Sequence, residues 1–358
     1  MAGKRVTLSD IAKRDGSHVT TVSLAMRNSP KLPEATKKRI QKLAKEMGYV
    51  PDPALGALAS YRRRAKETRS KETLAYVTNW TSRWGWKDDR SHAQFYEGAT
   101  EAADAIGYQL EHFWLSEPGM THSRFSKILF TRGIRGIIIA SHSREHEAPL
   151  ELDWKGFSCI KIDFFPHKPQ LPNVSNDQCG SVRLAFQKAL ESGAKRIGLV
   201  MHRGWDMSVD RMWTAGFLVE QYLVEEKDRL PVCYFPAAEP REVWENETEV
   251  EVKIDTARFK EWYEKWKPEV IIGNRVFIAD AMKELGLEAP RDFGLIDLFL
   301  YEKNGKDAGI VQNHRFVGAT AINMLASRLM RNDLGLPTYG RTSFVEADWT
   351  DGESLPTK

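Results

Sequence analysis

Cysteine is scarce: Cys159, Cys179 and Cys233 are the only three in 358 residues. Odd in number and widely spaced, they make neither a disulfide framework nor a paired zinc site, so buried free thiols are expected. Long apolar runs are also missing, and none nears the ~18 residues a membrane span requires. The N-terminus is charged and then amphipathic, without the apolar stretch of a secretory signal, so a cytoplasmic protein is expected. The chain has no Gly-Lys phosphate loop, no Gly-x-Gly-x-x-Gly after its first strand and no nucleophile elbow. His112, His142, His146 and His167 are scattered without metal-ligand spacing. No metal site, no cofactor and no enzymatic activity are therefore expected.

What is present is an ordinary soluble composition, 42% hydrophobic and 28% charged, with the charge unevenly distributed. Residues 1–71 hold 17 lysines and arginines against 6 acids, a net of +11; the remainder holds 35 against 43, a net of −8. One end is thus suited to a polyanion while the other stays soluble. A basic domain displaces counterions from nucleic acid on binding, which drives affinity independent of sequence. The length points to two or three domains.

The basic end is strongly patterned rather than of low complexity. Thr7-Leu8-Ser9-Asp10 reads as a capping box opening a helix over about 8–15, which buries Leu8, Ile11 and Ala12 and stops at Gly16. A second helix, about 19–27, turns Val22 and Ala25 inward. A third begins near Pro33-Glu34 and presents Ile40, Leu43, Ala44 and Met47 at helical spacing before Gly48. Three short helices, the first two joined by a tight turn, make a helix-turn-helix. Tyr49-Val50-Pro51-Asp52-Pro53 breaks the helix, 54–60 has room for two helical turns weakened by Gly56, and a basic linker runs to about Lys71.

From Thr73 strands and helices alternate. Strands are expected at 74–78, 109–115, 136–140, 159–163 and 196–201, with helices at 92–106, 123–132 and 178–192 between them. A second series has helices at 210–225, 256–266 and 276–285, and strands at 232–235, 270–273 and 294–298. Such alternation argues two doubly wound parallel-sheet α/β lobes. Helix 316–331 and strand 342–346 have no sequential partner and return to lobes already built. The expected domains are a headpiece at 1–52, a hinge and linker at 53–72, and a core at 73–358. Within the core, lobe 1 covers about 73–202 and 315–341, and lobe 2 about 203–314 and 342–358.

At this point the chain resembles the LacI family of transcription regulators, whose core is periplasmic-binding-protein-like. Val6-Thr7-Leu8-Ser9-Asp10-Ile11-Ala12, then Thr21-Val22-Ser23, then Gly48-Tyr49-Val50-Pro51 follow that family's headpiece pattern in order and spacing. Gly193-Ala194-Lys195-Arg196-Ile197-Gly198, Gly216-Phe217 and Ala289-Pro290-Arg291-Asp292-Phe293-Gly294 resemble its core landmarks. The resemblance implies a repressor that binds double-stranded DNA as a homodimer, with recognition helices in successive major grooves of a near-palindromic operator. Val19, Thr20 and Leu24 fall at base-reading positions. Thr7, Thr21, Ser23 and Arg27 match phosphate-contacting ones, and Leu8, Ser9 and His18 complete the implied DNA-binding set. Leu24 stands where many relatives carry arginine, and His18 occupies the place of the capping serine. Leu58 matches the hinge leucine wedged into the minor groove. The tail at 353–358 lacks apolar heptads, so a dimer rather than a tetramer is expected.

In a fold of this type a small-molecule effector sits between the lobes, near the C-terminal ends of the strands. By position the effector-binding candidates are Trp80, Ser91, His92, Arg211, Trp213, Asn274, Asp297 and Gln312. Trp84 and Trp86 share the first-strand loop. Trp213 replaces the arginine usual in sugar- and purine-binding relatives, and Phe299 replaces their acidic residue, so a carbohydrate is only the default ligand. Two other readings stand beside this one. A solute-binding protein of the same core fold would need a signal peptide and no headpiece. The other is a regulator whose core senses a protein, or nothing at all.

Overall fold

The computed structural model describes residues 6–49, 71–142, 149–164, 168–235 and 254–355. Leu58 and the expected hinge helix at 54–60 lie outside these residues, as do His146 and His167.

The headpiece forms for the local reasons the residues suggest. Helix α1 (Leu8–Asp15) starts at a capping box in which the Thr7 amide donates to Asp10 Oδ2 at 2.9 Å and the Asp10 amide to Thr7 Oγ1 at 3.3 Å. It ends at Gly16, whose φ of +70° is open to glycine at little cost. Helix α2 (Val19–Met26) begins one residue after His18, and α3 (Glu34–Glu46) follows Pro33. Ile11, Ala12, Val22, Ala25, Ile40 and Ala44 are fully buried between the three helices, whereas Leu8 is only partly so.

Lobe 1 is built from β1 (Glu72–Asn79), α4 (Arg90–Ala105), β2 (Tyr108–Trp114), α5 (His122–Thr131), β3 (Gly136–His142), β4 (Ser158–Ile162) and β5 (Asn173–Asn176). The chain then enters lobe 2 with α6 (Gln178–Glu191), β6 (Ile197–His202), α7 (Arg203–Ser208), α8 (Met212–Tyr222) and β7 (Cys233–Phe235). That lobe continues with α9 (Thr256–Trp266), β8 (Val270–Gly273), α10 (Arg275–Leu285), β9 (Gly294–Leu300) and β10 (Ala308–Val311). Helix α11 (His314–Met330) and β11 (Thr342–Val345) return to lobe 1, and β12 (Asp348–Thr350) ends in lobe 2.

The sheet orders are β11-β5-β4-β3-β1-β2 and β12-β10-β9-β8-β6-β7. Every pairing is parallel except the antiparallel edge strand β12. Both sheets are covered on two faces, so alternate residues of one strand serve two cores. In β1, Leu74 and Tyr76 pack toward α4 and α11, and Ala75 and Val77 toward α5.

The lobe boundaries differ from those expected at three places. Strand β6 and helix α6 belong to lobe 2 rather than lobe 1, and β11 pairs with β5 in lobe 1 rather than lying in lobe 2. The alternation of strand and helix runs on unbroken past Asn176, so nothing in the pattern marks where the chain changes sheet. Helix α11 does pack in lobe 1, against α4. The two helices approach so closely that a Cβ on Gly98 would lie 1.9 Å from the Arg315 carbonyl oxygen, and one on Gly318 2.0 Å from that of Phe95.

Candidate nucleic-acid interface and ligand cleft

The exposed face of α2 carries the headpiece candidates. His18, Val19, Thr20 and Arg27 are exposed, and Thr21, Ser23 and Leu24 are half-buried. His18 is the N-cap: its Nδ1 accepts from the Thr20 amide at 3.3 Å and lies 3.0 Å from Thr20 Oγ1. The imidazole thus does what a capping serine would do, and the helix starts at Val19. Arg27 Nε donates to the Ser23 carbonyl at 3.1 Å. On α1, Ser9 is exposed, while the exposed Thr7 directs its hydroxyl to Asp10 Oδ2 at 2.6 Å.

In the core, the lobe 1 candidates gather at the C-terminal edge of the sheet. Asp89 fixes the start of α4 by accepting from the amides of Ser91 and His92 at 2.8 and 3.2 Å. His92 meets the Trp80 ring edge-on at a centroid distance of 5.2 Å. Asp163, next after β4, has a φ of +68° and accepts from Ser175 Oγ at 2.8 Å, while Gln178 Nε2 donates to the same Oγ at 3.2 Å. Burial raises the Asp163 carboxyl above the usual range, and the charges of His92 and Lys161 oppose that rise. Burial also pushes Lys161 down to about 8. Gln178 Oε1, Asn176 Nδ2 and His314 Nδ1 are buried with no protein partner.

Tyr301 bridges the lobes. Its hydroxyl lies 3.3 Å from Ser91 Oγ, Arg90 sits 4.5 Å over its ring, and the Arg90 guanidinium is 3.6 Å from Glu302. The other edge of the ring faces His314 at 5.7 Å.

The lobe 2 candidates divide differently. Trp213 is buried in the lobe core, 5.1 Å from Phe299, which in turn lies 5.4 Å from Trp205. Trp213, Phe299 and Trp205 thus form one aromatic layer in lobe 2. Asn274 Oδ1 caps α10 through the Phe277 amide at 3.0 Å. Asp297 accepts from the amides of Phe299 at 2.7 Å and Arg275 at 3.3 Å, and burial pushes its carboxyl up to about 6. Gln312 Nε2 donates to the Leu298 carbonyl at 2.7 Å. Arg211 is exposed, with a φ of +59°. The structure thus groups Trp80, Ser91 and His92, sets Asn274 and Asp297 together at the start of α10, and leaves Trp213 in packing.

Several polar residues carry no sequence signal. Asp206 is buried and accepts from the Thr214 amide and hydroxyl at 3.0 and 2.7 Å and from the Tyr234 hydroxyl at 3.0 Å. Arg203 lies 4.2 Å over the Tyr234 ring. Asp163 and Tyr301, by contrast, could have been found by the rule that picked Trp80, since each sits at the C-terminal end of a strand. Trp86 is buried against Tyr76, Tyr96 and His112, and Trp84 covers His112 at 4.7 Å, so both close the edge of lobe 1 rather than line the cleft. No group of metal-ligating side chains occurs among the described residues.

The described residues thus define the class by fold: a helix-turn-helix headpiece in one chain with two doubly wound α/β lobes. Residues 7–52 match the family described as bacterial regulatory proteins, lacI family. The repressor CytR of Escherichia coli strain K12 is 25% identical over 194 residues, 54% of this chain and 53% of CytR. The regulator CelR of Thermobifida fusca is 26% identical over 203 residues, 55% of this chain and 56% of CelR. These matches span about half the length of the curated relatives. Among solved structures, a CelR–cellobiose complex aligns with a TM-score of 0.57 at 18% identity, covering 98% of this chain and all of that one. The lac repressor dimer bound to operator and the anti-inducer ONPF aligns at 0.54 and 15%, covering 98% and 99%. The headpiece, residues 7–52, thus matches the lacI family, and the chain as a whole shares its fold with these solved regulators.

Proposed function

We propose that the protein is a sequence-specific DNA-binding repressor, acting in the cytoplasm as a homodimer on a near-palindromic operator. A small molecule bound between the lobes sets its operator affinity. The observation that carries this reading is the headpiece itself, with one face of α2 exposed and residues 7–52 matched to the family. Thr20, Val19 and Leu24 read bases, and Thr7, Thr21, Ser23 and Arg27 contact phosphate, with Leu8, Ser9 and His18 beside them. Leu58 wedges the minor groove at the centre of the site.

The effector is a carbohydrate held against Trp80 and His92, with Ser91, Asn274, Asp297, Gln312 and Arg211 around it. Trp80 offers a ring face and Asp163 a buried acceptor, and the cellobiose-bound neighbour supports the ligand class. Trp213 shapes this site from behind, through Phe299.

Selection from a randomised duplex DNA library, followed by gel shift with a panel of sugars, tests both halves. A recovered sequence with two-fold symmetry and a sugar that alters its binding are expected. Recovery of no consensus would overturn the repressor reading, and calorimetry showing no heat with any sugar would remove the carbohydrate.

A further inference from the structure

We infer that His18 fixes the hydrogen-bond polarity of Thr20, so that Thr20 reads DNA only as an acceptor; this rests on the DNA-binding function proposed above. A threonine hydroxyl ordinarily rotates to donate or accept as its surroundings require. Here it cannot. The Thr20 backbone amide donates to His18 Nδ1 at 3.3 Å, so Nδ1 carries the lone pair and the ring proton sits on Nε2. The Thr20 Oγ1 is 3.0 Å from the same Nδ1. With no proton on that nitrogen, the hydroxyl is the donor, and its proton turns inward.

Both lone pairs of Thr20 Oγ1 then face outward on an exposed helix start. In the major groove, adenine N6 and cytosine N4 are donors, whereas guanine N7 and O6 and thymine O4 are acceptors. An acceptor-only hydroxyl pairs with the amino groups and is repelled by the carbonyls. His18 is therefore a positioning residue for specificity, acting on the base through Thr20. Val19 and Leu24 offer only apolar contacts nearby, and the one donor set beside this acceptor by the same geometry is the His18 Nε2–H.

The test uses the full chain and the operator recovered from a randomised duplex library. The base pair facing Thr20 is the one whose identity ceases to matter in Thr20→Val. At that pair, operators are synthesised without the amino group (purine for adenine, a pyrimidinone for cytosine) or, separately, without the purine ring-nitrogen acceptor. Losing the amino group should weaken the wild type about fivefold, the value of one ordinary hydrogen bond. Losing the ring nitrogen should change nothing. His18→Gly, a tolerated N-cap that leaves the hydroxyl free to donate, should accept guanine O6 or thymine O4 at that pair about as well as the amino group, while melting normally. His18→Asn, which restores an acceptor, should restore the rejection of the carbonyl. Dependence on the ring nitrogen, indifference to the amino group, or undiminished rejection of the carbonyl by His18→Gly would each overturn the inference while leaving the repressor intact. If no operator is recovered at all, the repressor reading fails and takes this inference with it.

Discussion

Asp206 shows how much one side chain can organise without reacting. Its two oxygens accept from the amide and hydroxyl of Thr214 and the hydroxyl of Tyr234, joining α7, α8 and β7. Asp206→Ala would strand the Thr214 amide and leave the Thr214 and Tyr234 hydroxyls only each other, and a loss of roughly 2 kcal/mol is expected in urea unfolding. A loss below about 1 kcal/mol would mean that water replaces the carboxylate. Two histidines make a second, titratable case. Burial holds His112 and His314 down near 4, below the ordinary value near 6.5. The unfolded chain therefore binds more protons than the folded one between those limits, and stability falls as pH drops from about 6.5 to about 4. Asp297, raised to about 6, works in the opposite sense, its contribution growing as pH falls from about 6 to about 4. Replacing both histidines with glutamine should flatten or invert the acid limb of a melting-temperature profile against pH. An unchanged limb would place its origin elsewhere.

At the scale of elements, the crossing of α4 and α11 is the tightest helix contact described. Either Gly98→Ala or Gly318→Ala would push a methyl into a backbone carbonyl of the facing helix, and a loss of about 1–3 kcal/mol is expected by calorimetry. Melting temperatures equal to wild type would show that the helices can part freely. Apolar elements such as β1, β3 and β8 were legible because buried parallel strands are continuous runs of Ile, Val and Leu. Asn173-Val174-Ser175-Asn176 has no such run: three of its four residues are polar, and one of its two partners, β11, lies far along the chain. The three-residue β12 and the short β10 give no signal either, having too few residues to set a period. The start of α4 lay two residues earlier than expected, because Asp89 rather than Arg90 or Ser91 supplies the cap. Trp213 reads in sequence as a cleft residue and proves to be packing, since only the fold brings Phe299 against it.

For the molecule as a whole, the Arg90–Tyr301 contact ties lobe 1 to lobe 2 on the cleft side. A ring under a guanidinium and a hydroxyl near Ser91 make this contact direct. Tyr301→Ala should raise the radius of gyration measured by solution scattering and weaken effector binding, while leaving the unfolding midpoint of each lobe nearly unchanged. An identical scattering curve would show that closure does not depend on this contact. The division into lobes was visible in the repeated alternation, but the places where the chain passes between them were not, because each passage occupies only a residue or two.

Those passages also bear on how the protein is made. Lobe 1 lacks α11 and β11 until residues 314–345 have emerged from the ribosome, by which time most of lobe 2 already exists. Until then β5 is an unpaired edge strand, and the face that α11 will cover is bare hydrocarbon. Lobe 2 in turn waits for β12, which closes its own edge. Neither lobe can therefore finish folding before residues 342–350 have emerged, and a translation stalled before about residue 345 would leave a sticky nascent chain prone to aggregate.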